Sequence, residues 1–246
     1  MKTRITIVAA CVMMCTTLFA QSTINKTIPL KGQKLVRFHF DYPQIIRVST
    51  WEKNEISITG NVSINGGEQD NAFKVETTDE SGNLYVKGSI QNLKDLPKRI
   101  TIYEGGQKVV FQDKAALKKY QQEHPGSYER MSWGTDIDIE IEIKVPAGLA
   151  TEIESVYGMV EVKQFNAPLQ VEATYGGVDA ALREAKIGQL TAETNYGEIF
   201  SNLDTKLKGD GTTKDFHTLV KAQPGKGFDY TFESKYGNVY LRKSEQ

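Results

Sequence analysis

Apolar and polar residues alternate with a period of two over most of the chain, and that period predicts strands rather than helices. β-Branched residues fall at alternate positions in 45–49, 56–64, 73–77 and 84–90. Turn formers separate these runs: Lys53-Asn54, Asn65-Gly66-Gly67 and Asp79 to Asn83. The clearest strand spans 136–144, with Ile137, Ile139, Ile141 and Ile143 on one face and Asp136, Asp138, Glu140 and Glu142 on the other. Carboxylates two residues apart stand about 6.6 Å from one another along a strand. A straight strand does not converge ligands as a calcium loop does, so a solvated face paired with basic neighbours is expected, and a cation row is the alternative.

One segment, 93–132, breaks this rhythm. Gly105-Gly106 separates two short apolar runs and predicts a hairpin. Asp113 is a good N-cap, and 114–123 is the one convincing helix, stopped by His124-Pro125-Gly126. The segment holds eight Lys/Arg against five Asp/Glu. Its basic and aromatic residues Tyr103, Lys114, Lys118, Tyr120 and Tyr128, with Trp133 at its edge, form a candidate partner surface. The favoured reading, however, is that the aromatics pack the segment onto the sheet, since a small excursion needs its own hydrophobic anchor.

From 146 onward the chain repeats Glu-[Ser/Ala/Thr]-x-Tyr-Gly-x-[Val/Ile], at Glu154, Glu172, Glu193 and Glu233. The tyrosines Tyr157, Tyr175, Tyr196 and Tyr236 are 18, 21 and 40 residues apart, and Phe216 marks a degenerate copy in the long gap. The expected scaffold is Tyr157, Gly158, Tyr175, Gly176, Tyr196, Gly197, Phe216, Tyr236 and Gly237. Counted back from each tyrosine, positions −2, −4 and −6 are small or apolar and face inward, and Glu at −3 faces outward. The fold class expected is all-β: a parallel β-solenoid with coils of about 20 residues stacked in chain order. A β-rich N-terminal part (21–145) and the helix-containing insertion complete it, and 146–246 forms the Tyr-Gly repeat. The tyrosines would form a ladder, and the glutamates a second one that is either solvated or cation-binding.

The isoleucine-rich strand, Val145-Pro146 and the repeated Gly-x-Val turns resemble the bacterial, chiefly Bacteroidota, "putative adhesin" β-solenoid family of unknown function. The resemblance covers about 45–240 without the insertion. Family members commonly lack the tyrosine before glycine. The resemblance implies an exported location and supplies no catalytic residues.

Residues 1–20 read as a secretory signal: Lys2 and Arg4, an apolar run, then Leu18-Phe19-Ala20 before Gln21. Both cysteines lie inside it, so no disulfide or thiolate site is expected after cleavage. Val8-Ala9-Ala10-Cys11 resembles a lipobox, but the apolar run before Cys11 is too short, and lipid anchoring there is not expected. The net charge of −1 becomes −3 once the signal's two basic residues are removed, which gives no reason to expect a nucleic-acid partner. His39, His124 and His217 share no metal-ligand spacing, and no hydrolase, Walker or dinucleotide motif appears. His39 alternates with Phe38 and Phe40 and reads as structural. Gly209 to Thr213 reads as a turn. No catalytic, cofactor or metal residue is assigned.

The expected function is an exported cell-envelope structural or interaction protein, adhesin-like and without catalysis, in the periplasm or at the cell surface, that binds a protein or glycan. A carbohydrate-active enzyme or carbohydrate-binding module and an envelope signalling accessory are the alternatives.

Overall fold

The computed structural model describes residues 22–209 and 216–244. The expected export signal, Cys11 and most of the turn at 209–213 lie outside the described residues. In chain order the strands begin β1 (Ser22–Pro29), β2 (Leu35–Phe40), β3 (Ile45–Trp51), β4 (Glu55–Ile64), β5 (Phe73–Glu80) and β6 (Asn83–Ile90). The insertion follows as β7 (Arg99–Glu104), β8 (Gln107–Phe111), α1 (Lys114–Glu123) and β9 (Arg130–Gly134). Then come β10 (Ile137–Pro146), β11 (Ala150–Ser155), β12 (Met159–Lys163), β13 (Leu169–Ala173), β14 (Val178–Leu182), β15 (Ile187–Thr194) and β16 (Ile199–Ser201). The described strands end with β17 (Lys208–Gly209), β18 (Thr218–Ala222), β19 (Phe228–Ser234) and β20 (Val239–Lys243).

These strands build two large mixed sheets around one hydrophobic core. The first sheet has the order β1-β4-β10-β3-β12-β14-β20-β16, and the second β17-β18-β15-β19-β13-β11-β2-β6-β5. The middle of each sheet is parallel: β10 through β16 in the first, β15 through β6 in the second. The margins are antiparallel, with β1, β4 and β10 at one end of the first sheet, and β5/β6 and β17/β18/β15 at the two ends of the second.

This corrects the expected parallel solenoid. Coils stacked in chain order would put the third repeat beside the second. Instead β19 pairs with β13 on one side and β15 on the other, so the fourth repeat lies between the second and the third. Chain order is broken again where β10 inserts between β3 and β4. The stretch around Phe216 does not form a parallel coil either. It leads into β18, which runs antiparallel along β15 and opposes Leu219 to Glu193.

The alternation itself holds. Ile139, Ile141 and Ile143 are fully buried, as are Val171, Ala192 and Phe232. Ser155, Thr194 and Ser234, the small residues two before each tyrosine, are buried too. Burying these inner faces supplies the main driving force, at about 25 cal/mol per Å² of apolar surface. Three of the four outer carboxylates over 136–142 have separate cationic partners: Asp136 with Lys108 (2.5 Å), Glu140 with Arg47 (2.9 Å) and Glu142 with Lys144 (3.1 Å). Among the described residues no group of three or more His, Cys, Asp or Glu is placed to hold a metal.

The insertion forms a third, separate sheet, β8-β7-β9, with α1 on one face. Ile100, Ile102, Phe111 and Leu117 make a small core of their own. The Asp113 carboxylate accepts the Ala116 N–H at 2.8 Å, the capping bond the sequence predicts.

Candidate binding surface: an aromatic ladder beside a carboxylate row

At each repeat the chain leaves the second sheet, turns at Tyr-Gly and enters the first. Backbone hydrogen bonds tie one turn to the next. Val156 N–H donates to Phe40 O, Tyr175 N–H to Val156 O, Tyr236 N–H to Thr174 O and Tyr196 N–H to Lys235 O, at 2.8–3.1 Å. The buried hydroxyls complete each turn. Ser155 donates to Tyr157 O (2.6 Å), Ser234 to Gly176 O (2.7 Å) and Thr194 to Gly237 O (2.9 Å). Ser234 and Thr194 also accept from the N–H of Gly237 and Gly197. In the three repeats that carry Ser or Thr there, the small residue is therefore a turn-bonding group as well as a core filler, whereas Ala173 in the second repeat only fills the core.

The glycine after tyrosine is required by close approach. A Cβ on Gly176 would lie 1.6 Å from Gly158 O, and one on Gly197 would lie 1.9 Å from Gly237 O. Gly158 carries a positive φ of 88° as well. No other residue lets the turns stack this tightly.

Stacked turns place the rings in a column. The order is Tyr42, Tyr157, Tyr175, Tyr236, Tyr196, Phe216, with centroid steps of 5.1–5.6 Å and interplanar angles of 5–25°. The last five are 43–70% exposed. The rings cover one another's faces, so solvent meets their edges and phenol oxygens. Among the described residues none of the five phenol oxygens has a hydrogen-bond partner. Lys235 lies over the Tyr236 ring at 5.4 Å.

Beside the column, on the outer face of the second sheet, runs a row of four glutamates. Register pairs Glu154 with Glu172, Glu172 with Glu233, and Glu233 with Glu193. Histidines close both ends: His39 Nδ1 meets Glu154 at 2.8 Å, and His217 Nε2 meets Glu193 at 2.7 Å. Burial and the charges of Glu193 and Glu172 push the Glu233 carboxyl up, against the pull of His217. For His39, burial favours the neutral ring, but hydrogen bonds to Glu154 and Asp41 outweigh it and raise the pKa above its ordinary value. A groove of about 350 Å³ opens over this end of the row, lined among others by Arg37, His39, Tyr85, Glu152 and Glu154. Arg37 pairs with Glu152 and donates to the Tyr85 oxygen.

Of the residues named as a candidate partner surface on the insertion, the three tyrosines have packing contacts within it. Tyr120 packs on Phe111, donates to Glu104 at 2.9 Å and stacks on His124. Tyr128 also packs against the small core, and Tyr103 lies under Arg130 at 4.4 Å. Lys114 and Trp133 do meet, 5.5 Å apart, with Lys118 exposed on the same helix. Sequence reading missed Tyr42 as the first ring. Its signal was present: Tyr42 follows His39 by three residues, as each repeat tyrosine follows its glutamate, and β2 pairs His39 with Glu154.

No family model matches the chain, and neither does any curated protein. Solved structures similar to it include the following two. One, described as a "putative cell adhesion protein" from Clostridium sporogenes ATCC 15579, is 12% identical over 92% of this chain and 100% of that one, with a TM-score of 0.47. The other, described as a "putative adhesin" from Bacteroides fragilis NCTC 9343, is 11% identical over 92% of this chain and 99% of that one, with a TM-score of 0.22. Those descriptions match the resemblance noted in the sequence, but a likeness this remote carries no argument about family or partner. Among the described residues no helix is long and apolar enough to cross a membrane.

Proposed function

We propose that the protein is an exported, non-catalytic, adhesin-like interaction protein that captures a linear glycan at the cell envelope along its aromatic ladder. The observation that carries this reading is the column itself: a continuous row of exposed rings with unpartnered phenol oxygens. Contiguous exposed aromatic surface on a soluble domain marks an interaction site. The edges offer a hydroxyl every 5 Å or so, and a regular polyhydroxylated chain can accept and donate along that row. Apolar CH faces of the sugar rings would cover the aromatic edges between hydrogen bonds. The carboxylate row beside the column would repel polyanionic chains, so the favoured ligand is neutral or basic.

A glycan array with the mature protein tests this, alongside a Tyr175→Ala/Tyr236→Ala double variant. Both side chains are about half exposed, so the variant keeps its circular dichroism spectrum. Binding to neutral or basic glycans falls by about tenfold or more in the variant. Equal binding by the two proteins, or release of shortened products from the captured glycan, would overturn the reading.

A further inference from the structure

Five of the eleven tyrosines stand in the column, in the order Tyr42, Tyr157, Tyr175, Tyr236, Tyr196. They form four neighbouring pairs, with centroid steps of 5.1–5.5 Å and interplanar angles of 5–18°. Backbone bonds between the turns hold each pair in place, so every one of these phenols keeps another phenol beside it. The ortho carbons of each ring lie on the edge that carries its oxygen. In Tyr157, Tyr175, Tyr196 and Tyr236, which are 43–59% exposed, that edge meets solvent.

The other six tyrosines have no such neighbour. Tyr240 stacks on Phe200, Tyr103 lies under Arg130, and Tyr85 lies under Arg37. Tyr120 and Tyr128 pack on the small core of the insertion, and Tyr230 is buried with its hydroxyl donated to Phe165 O. Among the described residues, tyrosine stacks on tyrosine only in the column. The chain from Gln21 onward also has no thiol, since Cys11 and Cys15 are its two cysteines. A disulfide cannot staple it, and phenols are the side chains left that join by oxidation. The column sets them where a bond has a large effect. Tyr196 and Tyr236 are 40 residues apart in sequence, and Tyr175 and Tyr236 are 61 apart. A bond across either gap closes a long loop and restricts the unfolded chain.

We propose that the column is an oxidative cross-linking site, at which a peroxide, through a haem peroxidase, couples neighbouring tyrosines into dityrosine. The oxidant removes one electron from each of two adjacent phenols, and each phenol gives its hydroxyl proton to water. The two phenoxyl radicals join through ortho carbons, and the hydrogens on those carbons move to the oxygens, which restores both phenols. One C–C bond forms. The two electrons and two protons released reduce one peroxide to two waters. Free tyrosyl radicals must meet by diffusion, whereas here the partner is held one ring step away, and that proximity favours the neighbour over a second molecule. Rotation about Cα–Cβ and Cβ–Cγ closes the remaining distance, which half-exposed rings permit. Both hydroxyls survive, so coupling leaves the row of phenol oxygens in place.

The test treats the full mature protein, kept dilute, with hydrogen peroxide and a haem peroxidase. Blue dityrosine fluorescence appears, the monomer becomes lighter by two hydrogens per bond, and peptide mapping finds Tyr236 joined to Tyr175 or Tyr196. The melting midpoint of the cross-linked protein rises by about 5–10 °C. Tyr157→Phe/Tyr236→Phe keeps a ring at every step but leaves each remaining column tyrosine beside phenylalanine, which forms no phenoxyl radical. Its intramolecular yield falls about tenfold or more. Tyr103→Phe/Tyr240→Phe removes as many phenols outside the column and keeps the wild-type yield, and both variants keep the wild-type circular dichroism spectrum. Equal yields from the two double variants, covalent dimers in place of the lighter monomer, or an unchanged monomer mass would overturn the cross-linking site. Mass and peptide maps read coupling with no ligand present, so this outcome is separate from that of the glycan array.

Discussion

The repeat turns and the insertion solve the same problem in different ways. Each must hold aromatic side chains at the surface. At the turns, rigidity comes from backbone against backbone: glycines that leave no room, hydroxyls bonded to carbonyls, and a core shared by both large sheets. In the insertion it comes from four buried side chains between one helix and a three-stranded sheet. The first arrangement fixes six rings in one column. The second leaves one side of β9 unpaired among the described residues, and Met131 and Trp133 exposed. Order at a surface thus follows from how much of the supporting backbone is paired, and less from how aromatic the surface is.

That contrast can be broken most severely at Gly176. Gly176→Ala forces a Cβ onto Gly158 O, and the carbonyl is backbone that cannot swing away. The expected loss is about 3 kcal/mol or more of global stability, read as a drop of the whole melting transition. Gly66→Ala, which meets nothing within 4 Å but sits at a φ of 72°, is the comparison and costs roughly 1 kcal/mol. Equal melting temperatures for the two would remove the idea that turn stacking sets the rigidity.

A smaller and local effect is expected in the insertion. Ile102→Ala empties the centre of its small core, at a cost of about 2–4 kcal/mol to that unit. Because this core is separate, amide exchange should accelerate across 99–134 while β11, β13 and β19 keep their protection. Acceleration throughout both large sheets would show that the units are coupled.

The smallest effect concerns pH. The raised pKa of His39 means that the folded state favours its cation. The stabilisation is fully present below the unfolded value and is lost as the pH rises through the higher folded value. Since the ring and its partners are part exposed, we expect under about 1 kcal/mol, a shift of about 1–3 °C. Wild-type protein should lose that much more than His39→Gln between about pH 6 and about pH 9. Identical slopes for the two proteins would exclude His39 as a clamp on the end of the glutamate row.

Much of this surface was legible in the sequence. The period of two placed Ile153, Val171, Ala192 and Phe232 inside, and the position three before each tyrosine put the glutamates outside on one row. Asp113 and the stop at His124-Pro125 gave the bounds of α1. The order of the repeats was not legible, and the reason is physical. Every repeat strand offers the same inner face and the same hydrogen-bonding edges, so the motif states register but not neighbour. Neighbours are chosen by what lies between copies. The stretch after β16 carries β18 back along β15, which occupies that edge and leaves the gap beside β13 for β19. The edge strand β9 was also hidden, because Arg130-Met131-Ser132-Trp133-Gly134 reads as the tail of a loop until β7 is seen to pair with it.

The position of the fourth repeat also governs how the chain can reach this fold. β19 and β20 come late in the sequence yet occupy inner places, between β13 and β15 in one sheet and between β14 and β16 in the other. As the chain emerges residue by residue, β15 and β16 arrive first and find their final neighbours missing. They must wait unpaired on that side, or pair wrongly with β13 and β14 and be displaced. Assembly therefore cannot advance as a zipper from one end. It closes only when the late strands slot in, a long-range step of the kind that makes folding slow. Truncating the chain before Phe228 would not shorten the molecule by a layer but would leave a slot through both sheets.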